Sequence, residues 1–455
     1  MLNPIVRSTA KILRRNYTMK IRNKTASIAT AKLRRLLHGT SQSHEQVNIT
    51  NTGIGITIGD RVLHPLWLRE RSTSSKSVQK VTKQPIFQPH EIDIDIKIDN
   101  ADIVNDDILY VKFSDGYTTA FNIKKLIREI ESFNNSGIQV EDLSMPLYEI
   151  DRESTRQPKR YHLEDFMQKH YNDAGETNIS FENTNPSVKI EALETLMKDG
   201  HFILEGVPSE SGMVEKIGNA ITGSKVRPTN WGDYFNVQNK PDGDKKDIAY
   251  TAEGLPPHVD NPYRDPSPMF QLLHTLENDC EGGDSTAVDG FGVAMELKQK
   301  NKEYFDLLTS VGVRWENDGG TQTSALYCIS PHIKLDSSGK IIHQIYYSPK
   351  SGGYAPYLPP DDLDKFFKAR WMFAKMLNEE KRIASFRLKK GDVWIFNNMR
   401  ILHGRTAFNP SGKRHLQGSY IDVDGVQHGY FHAKHRIKNA GKETPTYVYN
   451  IHDRV

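Results

Sequence analysis

Hydrophobic and polar positions follow different repeats in different parts of the chain. Between residues 50 and 130, apolar residues recur at every second position in "IGITIGDRVLHPLWLRE" (54–70), "EIDIDIKI" (91–98) and "ILYVKFSDGYTTAF" (108–121). A repeat of two predicts short strands, and Ser-Asp-Gly in the last run predicts a turn between two of them. We therefore expect residues 50–130 to form a small β-rich N-terminal domain, followed by a linker over residues 131–160.

The remainder of the pattern mixes helices with strands. Helical spacing is present in "VKIEALETLMKDG" (188–200) and in "DDLDKFFKARWMFAKMLNEEK" (361–381). Residues 386–424 then form three alternating runs separated by turn-forming residues, a pattern typical of antiparallel strands in a sandwich or jelly roll. The pattern predicts a mainly β fold with flanking helices over residues 161–436, and a C-terminal tail over residues 437–455.

Composition narrows the class of protein. The chain has 455 residues and a net charge of +3, which is too small to indicate nucleic acid as a partner. No apolar run approaches the ~18–20 residues of a membrane span, so we expect no membrane-spanning segment. Two cysteines, Cys280 and Cys328, cannot form a disulfide framework or a thiolate zinc site and are typical of a reducing compartment.

The first residues depart from this average composition. Residues 1–44 are rich in arginine, lysine, serine and threonine, and the first acidic residue is Glu45. Short segments such as "AKLRRLLHG" suit an amphipathic helix, so the stretch has the composition of a mitochondrial transit segment. The prediction is a mitochondrial matrix protein, and the alternative is a solvated basic tail on a cytoplasmic one.

A candidate metal site begins in "LPPHVDNPYRDP" (255–266), where His258 and Asp260 lie two residues apart. Such a pair is weak evidence by itself, because a chain with 17 histidines contains about one by chance. His403, on a predicted strand far downstream, supplies a third ligand. Two imidazoles and one carboxylate leave three positions open on an octahedral ion, which suits non-haem Fe(II) that must bind a cosubstrate and then O₂.

Strand geometry connects His403 with two further residues. If "RILHGRTAFN" and "RHLQGSYIDVD" pair across the loop Pro410–Lys413, His403 faces Tyr420. Arg414 lies an even number of residues from Tyr420 and therefore projects from the same face. Because a guanidinium can donate two parallel hydrogen bonds to a carboxylate, Arg414 is a candidate for binding the far end of a small diacid held at the metal.

The chain resembles a known family over most of its length, from about Gly53 to Val426. The segments that carry the resemblance are "HPLWLRE", "VQNKPDGDKKDIAYT", "HVDNPYRDPSPMFQLLHTLENDCEGGDSTAVDGF", "KKGDVWIFNNMRILHGR" and "RHLQGSY". They are similar to the Fe(II)/2-oxoglutarate dioxygenases and, more narrowly, to the γ-butyrobetaine and trimethyllysine dioxygenases of carnitine biosynthesis. The series "NPYRDP", "QLLH", "GGDS" and "VDGF" is closer to the γ-butyrobetaine enzymes.

The resemblance implies a fold and a set of site residues. The fold is a double-stranded β-helix (jelly roll) that holds iron on His258, Asp260 and His403. Arg414 would bind the distal carboxylate of 2-oxoglutarate, and Ser285 of "GGDS" would place a hydroxyl near that carboxylate. Ascorbate is the reductant expected to keep the iron reduced. Members of the family often dimerise, so a homodimer is a further expectation.

The resemblance also implies a substrate. The family holds a trimethylammonium group in an aromatic cage, and the matching positions are Trp231, Phe235, Tyr250 and Tyr420. A quaternary ammonium cannot donate a hydrogen bond, so aromatic faces are its natural partners. We expect hydroxylation of 4-(trimethylamino)butanoate to L-carnitine with 2-oxoglutarate and O₂ as cosubstrates. The alternatives are an N6-trimethyllysine 3-hydroxylase and a non-catalytic betaine-binding or scaffold protein, whereas a sulfonate dioxygenase fits four aromatic residues poorly.

Two departures from the family pattern concern ligands. Many relatives bind zinc in the small domain through three cysteines and a histidine, but the matching residues here are Ser72, Ser74, Ser77 and Gly116. Serine does not replace a thiolate on zinc, so no zinc is expected. Asparagines that would hold the substrate carboxylate are also missing. The candidates for that contact are Tyr263, Arg264, Tyr347 and Lys350.

Overall fold

The structure, a computed structural model, divides into two compact units, residues 1–140 with 446–455, and residues 141–445. It describes residues 50–51, 55–58, 61–72, 74, 77–78, 88–104, 108–124, 126, 155–169, 177–238, 251–317, 326–352 and 358–438. The predicted transit segment, most of the predicted linker and tail, and Tyr250 lie outside the described residues. No helix in the described part is long and apolar enough to cross a membrane.

The described residues of the amino-terminal unit form two three-stranded antiparallel sheets and a short helix. The first sheet contains β1 (Thr50–Asn51), β2 (Ile56–Ile58) and β3 (Arg61–Leu63), followed by helix α1 (Pro65–Glu70) and a 3₁₀ turn (Pro89–Glu91). The second sheet contains β4 (Ile98–Val104), β5 (Ile108–Phe113) and β6 (Thr118–Asn122). The predicted turn between β5 and β6 is confirmed, and Gly116 adopts a positive φ of 79° there.

Two of the predicted strands in this unit are wrong. "PLWLRE" forms α1 because Pro65 occupies its first turn and the His64 side chain accepts a hydrogen bond from the Leu66 backbone N–H. Most of "EIDIDIKI" is a turn, in which the Asp93 side chain accepts the Asp95 backbone N–H at 3.0 Å. An aspartate that binds the backbone two residues on favours a turn over a strand despite the alternating pattern.

The larger unit is built on two facing sheets. Its strands are β7 (Lys159–His162), β8 (His201–Glu205), β9 (Phe235–Gln238), β10 (Leu255–His258), β11 (Phe270–Asn278), β12 (Ser285–Asp289), β13 (Val313–Asn317), β14 (Leu326–Ser330), β15 (Ile333–Leu335), β16 (Ile342–Ile345), β17 (Ala384–Phe386), β18 (Val393–Asn397), β19 (Ile401–Arg405) and β20 (Arg414–Ile421). One sheet has the order β7-β8-β18-β11-β20-β9 and the other β10-β19-β12-β17, and β13–β14 and β15–β16 form hairpins. The predicted jelly-roll fold is confirmed.

Side chains from both sheets fill the space between them. They include Leu273, Trp394, Phe396 and Leu416 from the six-stranded sheet, and Ala287 from the four-stranded sheet. Trp394 and His274 are both buried. The interior between the sheets is therefore largely apolar, and a polar residue that points into it needs a hydrogen-bond partner or a ligand.

Helices cover the sheets on the outside. They are α2 (Leu163–Phe166), α3 (Pro186–Asp199), α4 (Met213–Thr222), α5 (Gly290–Lys300), α6 (Lys302–Ser310), α7 (Pro360–Leu377), α8 (Val423–Lys438) and a 3₁₀ turn (Glu380–Arg382). Helices α3, α4 and α8 pack on the six-stranded sheet, and α5, α6 and α7 form a second apolar cluster with the two hairpins. The two helices predicted from the sequence pattern correspond to α3 and α7.

The predicted pairing of the strands that carry His403 and Tyr420 is wrong. Strand β19 pairs with β10 and β12, whereas β20 pairs with β11 and β9 in the other sheet. The loop between them crosses from one sheet to the other. His403 and Tyr420 therefore approach the same space from opposite sheets and are not neighbours within one.

Candidate metal centre

The two histidines of the predicted triad lie opposite each other on neighbouring strands. His258 ends β10 and pairs with His403 in the middle of β19, with a bulge in β10 just before the pair. Their rings are 4.3 Å apart between centroids, and both side chains are buried. The His258 Nδ1–H donates to the Pro256 carbonyl at 3.0 Å, so its Nε2 carries the free lone pair.

Asp260 follows the end of β10 and is held there by a buried asparagine. The Asp260 backbone N–H donates to Asn398 Oδ1 at 2.8 Å, and Asn398 Nδ2 donates back to the Asp260 carbonyl at 2.9 Å. The same amide also donates to the Pro268 carbonyl at 3.1 Å. Because Asn398 lies between β18 and β19, it fixes the aspartate relative to the strand that carries His403.

The three side chains converge on one point. Asp260 Oδ1 is 3.4 Å from His258 Nε2, and Oδ2 is 3.7 Å from His403 Nε2. One ligand atom from each of the three residues lies within 4.8 Å of the others, and within the described part of the chain no other histidine, cysteine or acidic group of this size forms such a cluster. Two imidazole nitrogens and a carboxylate fit a divalent transition metal with open positions.

The ionisation of these groups suits metal binding. Burial, together with the neighbouring His258, lowers the pKa of His403 to about 3, so its imidazole is neutral. Burial by itself would raise the pKa of Asp260, but the adjacent His403 and His258 rings hold it well below its ordinary value. A neutral imidazole and an ionised carboxylate are the forms that bind metal ions.

Arg414 lies beside a second arginine, Arg405, which the sequence prediction did not include. Arg405 is on the same strand as His403 and so connects Arg414 with the triad. Arg405 follows His403 by two residues, so the two side chains share one face of β19 about 7 Å apart along the strand. The guanidinium carbons of Arg405 and Arg414 are 5.0 Å and 5.7 Å from the centroid of the same ring, Phe408. Burial and the charge of Arg405 lower the pKa of Arg414 to about 10, which leaves it protonated at neutral pH.

The predicted serine lies in the same region. Ser285 is buried on β12 directly opposite Arg405 of β19. Gly283, two residues earlier, has φ of +72°, and a Cβ there would lie 3.3 Å from Arg414 Nε. The glycine therefore lets the arginine side chain lie against the backbone. Arg405 and Arg414 therefore place two positive charges, and Ser285 a hydroxyl, in the same part of the site.

Two of the four predicted cage residues are in contact. Phe235 and Tyr420 stack with ring centroids 5.4 Å apart, and a Cβ at Gly418 would lie within 2.2 Å of the Phe235 ring, so only glycine leaves room for it. Trp231 is 43% exposed, and the Arg264 guanidinium lies 5.7 Å from its centroid. Tyr250 lies outside the described residues, so its predicted place in the cage stays a prediction.

The candidates for binding the substrate carboxylate are in different environments. The Tyr263 hydroxyl is buried and donates to Asn261 Oδ1 at 2.7 Å, and Arg264 donates to Asn230 Oδ1. The pKa of Tyr347 is raised by burial. Lys350 is exposed, and its charge acts on both Asp260 and His403, so it lies on the triad side of the molecule.

Sequence reasoning missed Gln271 and Asn398, which both bind Asp260. Gln271 is a polar residue within the apolar run "MFQLLHTL" of β11, and its Nε2 donates to Asp260 Oδ2 at 3.0 Å. Asn398 belongs to "FNNMR", which the sequence pattern indicated only as a turn. A buried polar residue in an apolar run is the signal that could have singled out Gln271.

In the amino-terminal unit, a buried arginine binds Ser77, one of the serines at the positions where relatives carry zinc ligands. Arg69 is buried, and its guanidinium donates to Ser77 Oγ at 3.2 Å and to Asp115 Oδ2 at 2.9 Å. Its Cζ also lies 3.5 Å from the centroid of Tyr117. Ser72 accepts the Ser74 backbone N–H at 3.4 Å. Serine hydroxyls beside a guanidinium do not fit a zinc ion.

Comparisons with known proteins identify the family. The family described as "Taurine catabolism dioxygenase TauD, TfdA family" matches residues 166–420. A γ-butyrobetaine dioxygenase from Pseudomonas sp. (strain AK-1) is 31% identical over 82% of this chain and 91% of that protein. The Homo sapiens γ-butyrobetaine dioxygenase is 32% identical over 54% of this chain and 63% of that protein. The Mus musculus mitochondrial trimethyllysine dioxygenase is 25% identical over 79% of this chain and 80% of that protein.

The family match spans more than half of the chain and includes every described residue of the candidate site. The relative from Pseudomonas extends the similarity to most of its length. The resemblance predicted from the sequence motifs is confirmed. This chain is a dioxygenase of the TauD/TfdA family.

Proposed function

We propose that the chain hydroxylates 4-(trimethylamino)butanoate to L-carnitine with Fe(II), 2-oxoglutarate and O₂. The observation that carries the proposal is the contact between the aromatic pair and the triad. The Tyr420 hydroxyl donates to Asp260 Oδ2 at 3.2 Å, while its ring stacks on Phe235. A trimethylammonium group on these rings would therefore place its neighbouring C–H bonds beside the metal site. The names of the Pseudomonas and human relatives support the same substrate.

Each part of the site has a task in this reaction. His258, Asp260 and His403 would hold the iron, and Arg414, with Arg405 and Ser285 beside it, would bind the distal carboxylate of 2-oxoglutarate. When bound, iron supplies the redox chemistry by which 2-oxoglutarate and O₂ give succinate and CO₂ and one oxygen atom enters a substrate C–H bond. The apolar interior around Trp394 and Phe396 excludes water, and the aromatic pair orients the substrate.

Further parts of the proposal rest on the sequence. The basic, acid-free residues 1–44 support delivery to the mitochondrial matrix, and two relatives with mitochondrial names favour the same location. Ascorbate would keep the iron reduced. A homodimer is expected from the family. None of these assignments alters the chemistry proposed for the triad.

A succinate assay tests the substrate. Purified protein is supplied anaerobically with Fe(II), then with 2-oxoglutarate, ascorbate, O₂ and either 4-(trimethylamino)butanoate or N6-trimethyllysine. We expect succinate and L-carnitine to form at equal rates with the first substrate. Faster turnover of trimethyllysine would assign the chain to the second candidate, which the similarity to the mouse enzyme over 79% of this chain favours. No succinate with either compound, despite tight betaine binding, would support a non-catalytic protein.

The zinc positions lead to a separate prediction. Replacing Arg69 with methionine removes the ion pair with Asp115, the bond to Ser77 and the contact with Tyr117. Because Asp115 is partly exposed, we expect the free energy of unfolding of the amino-terminal unit to fall by about 1–3 kcal/mol. Denaturant unfolding of the full chain measures it. With the iron-free full chain, EDTA should leave the unfolding transition of the amino-terminal unit unchanged, and a shift of that transition that zinc reverses would contradict the assignment.

A further inference from the structure

One oxygen of the Asp260 carboxylate, Oδ2, accepts two hydrogen bonds from buried side chains. Tyr420 OH donates to Oδ2 at 3.2 Å, and Gln271 Nε2 donates to the same atom at 3.0 Å. Gln271 and Tyr420 are directly opposite each other on β11 and β20, so the two donors approach from one sheet as a pair.

Gln271 is difficult to explain as a residue that stabilises the fold. It is almost fully buried, and its Oε1 has no hydrogen-bond partner among the described residues. A buried amide oxygen without a partner is unfavourable by about 1–3 kcal/mol, so an apolar residue would suit this strand better. If the amide were turned over, its carbonyl oxygen would face the negatively charged Asp260 carboxylate. The orientation in which Nε2 donates to Asp260 is therefore the favourable one.

We propose that Tyr420 and Gln271 are positioning residues that fix the orientation of the Asp260 carboxylate toward the two histidines. The inference rests on the proposed function. Both hydrogen bonds end on Oδ2, the oxygen that lies 3.7 Å from His403 Nε2, while Oδ1 lies 3.4 Å from His258 Nε2. The carboxylate cannot turn away from either imidazole without breaking one of these hydrogen bonds, so it is held ready to bind the metal together with both histidines.

Tyr420 also belongs to the aromatic pair, which gives the arrangement a second consequence. Its ring stacks on Phe235 while its hydroxyl holds Asp260, so one rigid side chain contacts both the cage and a metal ligand. A cation that displaces the ring also displaces the hydroxyl. Tyr420 is therefore expected to connect occupancy of the cage with the geometry of the metal site.

The test uses the full chain with Tyr420→Phe and Gln271→Met. Tyr420→Phe keeps the ring and removes only the hydroxyl. Fe(II) affinity is measured by anaerobic titration, and the ratio of succinate to hydroxylated product is measured under turnover. We expect each variant to bind Fe(II) about 10–100-fold more weakly, as is usual when a partner of a metal ligand is removed, and to form more succinate per product.

Tyr430→Phe is the matched control. Tyr430 is equally buried, but its hydroxyl donates to Glu194 at 2.9 Å on the outer helices. If both Tyr420→Phe and Gln271→Met kept the Fe(II) affinity and the ratio of succinate to hydroxylated product of the unsubstituted protein, the inference would be wrong. A parent protein that binds no Fe(II) would instead refute the proposed function. If the unsubstituted protein bound Fe(II) but not 4-(trimethylamino)butanoate, the proposed substrate would be wrong. The Fe(II) affinities of the two variants would still test this inference.

Discussion

Replacing His403 with alanine is expected to abolish activity and to weaken Fe(II) binding by more than about 100-fold, since loss of an outer partner of a metal ligand alone costs ~10–100-fold. His403 supplies one of three donor atoms that lie within 4.8 Å of one another. With it removed, one imidazole and one carboxylate remain, which is too few to hold a divalent ion against water. Anaerobic titration with Fe(II) gives the affinity, and the succinate assay gives the activity.

The control for this variant is His343→Ala. His343 lies on β16 with an exposed side chain, so its replacement should leave Fe(II) binding unchanged. His403 packs 5.0 Å from Phe396 between ring centroids, and alanine leaves a cavity there, so circular dichroism must confirm folding. Asp260→Ala tests the same site without removing a ring from the core. Normal Fe(II) affinity in folded His403→Ala would show that the triad is not the iron site.

Replacing Arg414 with glutamine is expected to raise the KM for 2-oxoglutarate. Arg414 is buried, protonated and next to Arg405, so this part of the site is built for an anion. A hydrogen bond to a charged group contributes about 1.5–3 kcal/mol, which corresponds to roughly a 10- to 100-fold increase in KM. The KM is measured from succinate formation at saturating substrate.

Lys413→Gln is the control for Arg414. It removes the same charge one residue earlier in the chain, but Lys413 is exposed and lies 4.0 Å from Glu277. An exposed charge of this kind contributes little, so KM should change by less than about twofold. If Arg414→Gln also left KM unchanged, the carboxylate of 2-oxoglutarate would have to bind elsewhere, with Arg405 as the first candidate.

The sequence was sufficient to predict the triad, and the reason is chemical. Metal binding restricts the ligands to a few residue types, so His258, Asp260 and His403 could be found without knowing how the strands pair. The two long helices were predicted for a similar reason, because their apolar spacing and the glycine after Asp199 are local signals. The helices depend on short-range spacing alone, whereas the choice of His403 also needed its place on a predicted strand and the resemblance of its segment to a known family.

Features that depend on long-range pairing were not predictable. The turn-forming residues Pro410–Lys413 are as compatible with a hairpin as with a crossing between sheets, and only the packing of both sheets decides between them. Asn398 gains its role from Asp260, which is 138 residues away along the chain, so it has no signal in its own segment. Gln271 has only a weak one, a polar residue within an apolar run, which does not say what it binds. The strand predicted at "EIDIDIKI" failed because Asp93 bonds to the nearby backbone, a contact that apolar spacing does not report.

The two hydrogen bonds between Asn398 and the Asp260 backbone affect how the enzyme can exchange its metal ion. Asp260 is tied to Asn398 through both its N–H and its carbonyl, and His258 is tied to Pro256, so protein bonds alone keep these two donors in place. Losing the ion breaks none of these bonds. Iron that dissociates or becomes oxidised can therefore be replaced without the chain having to refold. The rate at which the site is reloaded would then depend on the supply of iron and of reductant.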